Sequence, residues 1–407
     1  MKIEGFQELF AFEGFIIDKI TCSSEIVQIT QHRDRRLKMN CPHCGHRMAR
    51  NKQIIREVFD LSIGTAFTVK IKFETWQGEC SQCGHAKTFL PKEVDEKATA
   101  TRRFMQYASE LCRFMTASEA SQILPFSDDT IRRWDKKILE NRFGKIDLTN
   151  VKKLLIDEKS IGKHHKYVTL VLDGDSGELL YMARGKSSDS LKPFFEKMPE
   201  NTRRNIIVAC MDRNGSYPNV VRRYCPNAEI VYDKFHIVKN LNEAVDQVRR
   251  EETRKAKKKK KPIIKGERYN LLRHSENLKP EQRVNLQTLL DLNENINAAY
   301  MLKETFRNFW TYRYLGCARK FLSWWMALAL ESGLRPMIKF GTGLLGDIRE
   351  LLNILKFGMS NASMERFNAT VSRVLARGHG YRDERYLFLK LRQQSFKKQL
   401  FQAAIMR

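Results

Sequence analysis

The sequence predicts a multidomain chain: a small β-rich module, then a helical pair, then a mixed α/β layer that gives way to a long helical region. Three observations predict it. Through residues 1 to about 95, short runs such as Phe67-Thr68-Val69-Lys70-Ile71-Lys72-Phe73 alternate apolar and polar residues with the period of a strand. From Ala98 to about Phe143 the period turns helical, with Phe104, Ala108, Leu111 and Met115 three or four residues apart. Strand-like runs return at Val151 to Ile156, Tyr167 to Leu172, Glu178 to Ala183, Asn205 to Met211 and Ala228 to Tyr232, and after Phe235 helical patterns run nearly to the end. A length of 407 residues leaves room for roughly two to three domains of about 150 residues each.

Charge narrows the classes of partner. Lys and Arg number 73 against 47 Asp and Glu, a net +26, while 42% of residues are apolar, so the charge sits on folded domains. A pI near 9.7 points to acidic polymers, above all nucleic acid, whose neutralised phosphates release counterions. Membrane surfaces are the competing reading. The longest apolar stretch, around Phe321 to Leu330, is about half of the roughly 20 residues needed to span a bilayer. No secretory signal is read at Met1-Lys2-Ile3-Glu4-Gly5, so the expected location is the cytoplasm. Nine cysteines, four of them in two C-x-x-C pairs, favour reduced thiols and a metal over a disulfide framework.

The first module carries those pairs. In Cys41-Pro42-His43-Cys44-Gly45 and Cys80-Ser81-Gln82-Cys83-Gly84, two thiolates separated by two residues can grip one tetrahedral Zn²⁺, and the glycine permits the tight turn. The 35 residues between the pairs exceed the usual spacing of about 15–20, and intervening strands could bring them together. The alternative is two unrelated surface pairs or a redox dithiol. His43, His46 and His85 lie nearby, but four thiolates complete a shell. Flanking charge is basic, with eight Lys/Arg and one Asp in residues 31 to 56.

The helical pair follows. Thr116-Ala117-Ser118-Glu119 is a capping box opening a helix that ends before Pro125, and Ser127 caps a second helix over Asp128 to Leu139. Ile131, Trp134 and Ile138 form its apolar face, with Arg132, Arg133, Lys136 and Lys137 off it. A helix, a short turn and a basic helix are the parts of a DNA-binding helix-turn-helix, although any helical hairpin would show the same caps.

The next strands read β-β-β-α-β-α-β, with Asp173-Gly174-Asp175-Ser176-Gly177 as a hairpin connection. Asp157 follows Val151 to Ile156, and Asp212 follows Ile206 to Met211, so two aspartates are expected where buried strands end. Glu365 lies near the start of a helix capped by Ser360 or Asn361, whose apolar face is Met364, Phe367, Val371 and Val374. Taken singly, an Asp after a strand is a common turn former. Three carboxylates converging from two strand ends and a helix would hold two Mg²⁺ ions, activating water or a 3′-hydroxyl against a phosphodiester. Neither an EF-hand nor a P-loop is present: Gly177 and Arg184 stand where the first needs oxygen ligands, and Leu180 where the second needs Gly.

These motifs closely resemble those of the DDE transposases of the ISL-three family of bacterial insertion sequences. The resemblance runs through Ile156-Asp157-Glu158-Lys159-Ser160, Lys166 to Val171, Met211-Asp212, Asp233-Lys234-Phe235-His236, and Ser360-Asn361 through Glu365 and Asn368 to Gly380-Tyr381-Arg382. It extends to the zinc knuckles and the helix-turn-helix. It implies an RNase H-like catalytic core, the triad Asp157, Asp212 and Glu365 with Mg²⁺ or Mn²⁺, and a bacterial protein at the nucleoid. It further implies that the chain cuts double-stranded DNA at element ends and joins them to a target, with a homodimer or higher oligomer holding two ends. His236 is read either as a DNA-phosphate or active-site support residue, or as part of a capped helix start. The alternatives are a zinc-bearing DNA-binding regulator without chemistry and an RNase H-like nuclease that does not join strands.

Asp212 and Glu365 are 153 residues apart, whereas a further strand and helix need only about 30. The surplus begins near Arg254, includes Trp310 and Trp324-Trp325, and reads as a helical insertion. The expected divisions are a zinc module at 1–95, the helix-turn-helix at 98–145, the core at 150–254, the insertion at 255–345, and the rest of the core with a basic tail at 346–407. Lys257 to Lys261 reads as a solvated loop or as a further DNA contact.

Overall fold

The computed structural model describes residues 3–63, 67–162, 166–213, 215–256, 261–359 and 361–396. The chain divides into two compact units: Met1–Lys145 together with Arg377–Gln393, and Ile146–Ala376 together with Gln394 onward.

In the first unit, helix α1 (Ile3–Phe10) precedes strands β1 (Phe15–Cys22), β2 (Ile26–Arg33), β3 (Ala49–Ile63), β4 (Phe67–Glu79) and β5 (Ala86–Thr88). They form one sheet in the order β1-β2-β4-β3, with β5 on β4. The alternating run at Phe67 opens β4, and its period of two puts Val69, Ile71 and Phe73 on the buried face. Val27 and Ile29 of β2 pair with Val69 and Ile71, and Val58 of β3 with Ile71, so one apolar row crosses three strands. Phe12 and Phe15 close on Phe73 edge to face, at 5.5 and 6.0 Å. Each such buried side chain contributes about 1.5–3 kcal/mol.

The next helices are α2 (Arg102–Leu111), α3 (Ala117–Ser121) and α4 (Asp128–Phe143). The expected capping box is present at α3: Thr116 accepts from the Glu119 amide, and the Glu119 carboxylate accepts from the Thr116 amide. Ser127 caps α4 through the Thr130 amide. On α4 the fully buried stripe is Ile131, Asp135, Leu139 and Phe143, while Trp134 and Ile138 are half-buried against the same core.

The second unit holds β6 (Lys153–Gly162), β7 (Lys166–Asp173), β8 (Leu179–Arg184), α5 (Ser188–Glu196), α6 (Glu200–Asn205), β9 (Val208–Met211), α7 (Tyr217–Tyr224) and β10 (Glu229–Tyr232). The sheet order is β10-β9-β6-β7-β8. The first three strands in sequence form an antiparallel meander, and β9 and β10 add parallel to β6. The predicted turn closes β7 to β8, with the Gly177 amide donating to Asp173 O at 2.9 Å.

From Lys234 to Phe357 every described element is helical: α8 (Lys234–Lys255), α9 (Lys261–Gly266), α10 (Arg268–Leu272), α11 (Pro280–Leu292), α12 (Glu294–Phe306), α13 (Leu315–Glu331), α14 (Arg335–Leu345) and α15 (Ile348–Phe357), with short 3₁₀ turns between. Lysines 257–260 lie outside the described residues. Trp325 anchors this region, fully buried 5.0 Å from the Phe306 ring with its indole N–H donating to Leu302 O, whereas Trp324 is exposed. Helix α15 returns to the sheet. Asn353 donates to Ile230 O at 2.9 Å and Arg349 pairs with Glu229, which covers the edge strand β10.

The last elements are α16 (Ala362–Arg377) and α17 (Glu384–Ser395). Ser360, one of the two expected caps of α16, lies outside the described residues. The buried stripe of α16 is Met364, Phe367, Val371 and Val374, as expected. In α17, Lys390 is buried and donates to Cys112 O at 2.5 Å and to Asp135 at 3.0 Å, and Tyr386 donates to the same carboxylate at 2.5 Å. Asp135 is fully buried, and its hydrogen bonds to Ser109, Tyr386 and Lys390 offset the desolvation of its charge.

Candidate metal centres

The four knuckle cysteines meet at the open end of the β3–β4 hairpin. Ala49 pairs with Glu79, so the residues just before β3 and just after β4 are neighbours, and the long spacing between the pairs is the hairpin itself. The two turns mirror one another. The Gly45 amide donates to Cys41 O and the Gly84 amide to Cys80 O, while the Cys41 and Cys80 amides donate to His46 O and His85 O. Both glycines are left-handed, at φ 77° and 68°. The sulfurs of Cys44 lie 3.4 and 3.5 Å from those of Cys80 and Cys83, and Cys41 lies 3.6 Å from Cys83. Tetrahedral Zn–S bonds of about 2.3 Å require S···S edges near 3.8 Å, so the cluster fits a structural zinc ion. The Cys83 amide foremost brings the Cys80 thiol down to about 7, toward the thiolate a metal needs.

The second cluster is a row of aspartates. Leu155 of β6 pairs with Cys210 of the parallel strand β9, so two residues on Asp157 comes level with Asp212. Met211 pairs with Tyr232 of β10, so the next residues, Asp212 and Asp233, are also level. Asp157 corrects the sequence expectation: it does not end its strand, because β7 continues the antiparallel pairing past it, Asp157 with Leu170 and Ser160 with Tyr167. It lies past the point where β9 stops, which opens one side of it.

Asp157 accepts from the Glu158 amide at 2.8 Å and from Asn368 Nδ2 at 2.6 Å. Burial first, and then the charge of Asp212, pushes its carboxyl up to about 6. Glu158 is raised for the same two reasons. Asp233 caps α8 through the Phe235 amide, which turns His236 back toward the row. His236 Nδ1 is 2.9 Å from Asp233 Oδ2, to which it hydrogen-bonds, and 2.8 Å from Asp212 Oδ1. Those two carboxylates, Asp212 first, hold the imidazole up to about 10, hence protonated at neutral pH. Asp233 thus caps a helix, and His236 lies against Asp212 of the candidate site.

The ligand atoms of Asp212, Asp233 and His236 lie within 4.8 Å of one another. A buried oxygen close by, Asn368 Oδ1, has no hydrogen-bond partner among the described residues. An oxygen-rich set with an unsatisfied buried acceptor beside it suits a hard divalent cation such as Mg²⁺ or Mn²⁺. Glu365 is exposed on the first turn of α16, three residues before Asn368 and on the same helix face. Asp233, Glu158 and Asn368 were not singled out as site residues from the sequence. The signal for Asp233 was available: it follows an apolar strand just as Asp212 does.

In the first unit, Arg132, Arg133 and Lys137 of α4 are exposed and Lys136 is half-buried. Arg132 pairs with Asp129, Lys136 with Asp383 and Lys137 with Asp95. No helix among the described residues is long and apolar enough to cross a membrane.

The second cluster lies within a stretch that matches a known family. A family profile described as transposase, that of the DDE enzymes of ISL3 elements, matches residues 154–391. The chain is 28% identical over 358 residues to the transposase for insertion sequence element IS1001 of Bordetella parapertussis, covering 87% of this chain and 88% of that protein. It is 24% identical over 261 residues to the transposase for IS1557 of Mycobacterium tuberculosis, covering 58% of this chain and 59% of that one.

Proposed function

The chain belongs to the ISL3 family of DDE transposases, and from that premise we propose that it binds the terminal inverted repeats of its own insertion sequence and there cuts and joins DNA strands. One observation carries the reading: Asp157 and Asp212 come level on adjoining parallel strands, and the helix bearing Glu365 lends Asn368 to Asp157. The sheet order, an antiparallel meander followed by two parallel strands, supports an RNase H-like core. Two Mg²⁺ or Mn²⁺ ions held by Asp157, Asp212 and Glu365 would supply an activated water or 3′-hydroxyl and stabilise the leaving oxygen.

The remaining work falls to the chain itself. Asn368 fixes the rotamer of Asp157 by its 2.6 Å hydrogen bond. His236, charged, offsets the repulsion between Asp212 and Asp233 and holds Asp212 in place. In the first unit, α3 and α4 supply the helix-turn-helix, with Arg132, Arg133, Lys136 and Lys137 against phosphates and one arginine able to read a guanine edge. Two ends must be joined in one event, which calls for a dimer or larger assembly.

A DNA-binding regulator would gain nothing from burying Asp157 beside the charge of Asp212, so the raised Asp157 favours chemistry. The test is product analysis on duplexes carrying the element's ends with Mg²⁺, for the wild type and for Asp157→Asn, Asp212→Asn and Glu365→Gln. Cleaved and joined products that vanish in each variant and in chelator support the proposal. Cleavage persisting in chelator would overturn the metal mechanism, and cleavage without joining would make the protein a nuclease.

A further inference from the structure

The segment that follows the Glu365 helix belongs to the first unit and is tied to it at several points. Arg377 donates to Arg113 O at 2.9 Å, at the end of α2. Asp383 pairs with Lys136, and Arg385 with Glu140, along one stripe of α4. Between these anchors the chain turns through His379 and Gly380, both left-handed at φ 48° and 97°. Tyr381 is the inward anchor: its ring lies 5.7 Å from that of Tyr386, and a Cβ on Gly378 would come within 2.6 Å of it. His379, Gly380 and Arg382 are left exposed.

We propose that this Arg377–Arg382 loop is a second DNA-contacting element, seated beside the recognition helix and gripping the phosphodiester backbone of duplex DNA. The proposal rests on the reading of α3 and α4 as a DNA interface. The charge pattern around α4 singles out the loop. Four of the helix's five basic side chains are already paired with carboxylates, Arg132 with Asp129, Lys136 with Asp383, Lys137 with Asp95 and Arg142 with Glu110. Glu119, which feels the charges of Arg377 and His379, is engaged in its own capping box. The guanidinium of Arg382 makes no hydrogen bond or ion pair among the described residues, and it stands next in sequence to the aspartate that rests on Lys136. An uncommitted arginine on a braced, glycine-containing loop can meet a phosphate with little further ordering. The DNA-binding module is then discontinuous, completed by residues that follow the catalytic segment.

The experiment uses the full-length protein and a fluorescent mixed-sequence duplex, with affinity measured by anisotropy as salt rises from about 50 to 200 mM. Arg382→Ala should make the log–log salt slope shallower by about 0.9, the value of one phosphate contact, so that its affinity falls about threefold less across that range. Arg382→Lys should restore the slope, and thermal melting of both variants should match the wild type. An unchanged slope, or tighter binding, in Arg382→Ala while Arg132→Ala with Arg133→Ala lowers the slope would overturn the loop's role and leave the helix-turn-helix standing. If neither set moves the slope, the reading of α4 as the DNA interface falls and takes the proposal with it.

Discussion

The two ligand clusters of this protein are built by opposite means. All four thiols come from the ends of one hairpin, and the same two-residue turn is used twice, so the cluster is complete once β3 and β4 pair. The aspartates come from three strands and lean on two helices, and bringing them level sets like charges side by side. The first cluster stabilises its fold when an ion binds; the second costs stability until charge arrives, and His236, Asn368 and the Glu158 and Phe235 amides offset part of that cost. A structural site closes on itself locally, whereas a reactive one is held open by the surrounding fold.

The largest expected effect tests the first half of that contrast. Cys44→Ser or Cys80→Ser should abolish zinc binding, and because binding energy of about 10–16 kcal/mol is also folding energy, the N-terminal module should unfold while the second unit keeps its own melting transition. Elemental analysis with calorimetry checks both, and zinc-free wild-type protein purified without chelator would break the comparison.

The second prediction inverts the sign. Asp157→Asn should remove activity yet stabilise the second unit in chelator by an amount on the order of 1–3 kcal/mol at pH 7 to 8. The folded carboxyl is raised to about 6, so the stability associated with its neutral form is full below its unfolded value, near 4, and is lost as pH rises through 6. Wild-type melting temperature in chelator should fall across that window and the variant's should not. A wild-type profile no steeper than the variant's would show that Asp157 is not strained by its neighbours.

Removing the groups that steady the row should have a smaller effect. Asn368→Ala and His236→Gln should each weaken Mn²⁺ binding about 10–100-fold, as loss of a residue that orients a ligand does, with the fold retained. Isothermal titration of Mn²⁺ reads this directly. Below them comes Gly45→Ala: nothing lies within 4 Å of the added Cβ, so its only cost is the left-handed backbone at φ 77°, about 1 kcal/mol in chemical denaturation. Smallest of all, His43→Ala and His85→Ala should leave zinc content unchanged and stability within about 0.5 kcal/mol, since the thiols already supply four ligands.

Much of this was legible along the chain. The C-x-x-C-G turns, the Thr116 capping box, the five core strands and Asp212 each depend on residues within a few positions of one another. What could not be read depended on alignment between distant segments. The position of Asp157 within β6 follows from β7 pairing past it, which apolar runs do not encode. Asp233 joins the row only because β10 lies parallel to β9 in one register. Lys390 looked like one more charge in a basic tail, and it is buried against Asp135, 255 residues earlier.

The sequence by itself determined the local chemistry of this protein: which turns can hold a thiolate pair, which helices can start where, and that Asp212 ends its strand. Those depend on covalent neighbours, on side-chain periodicity and on backbone freedom, all of which act over a few residues. Only the tertiary structure decided which acids face one another, because parallel register between strands has no local signature and is set by the packing of whole layers. It also decided that the last helix completes the first unit rather than the second, since a buried ion pair forms only where folding has already excluded water from both partners.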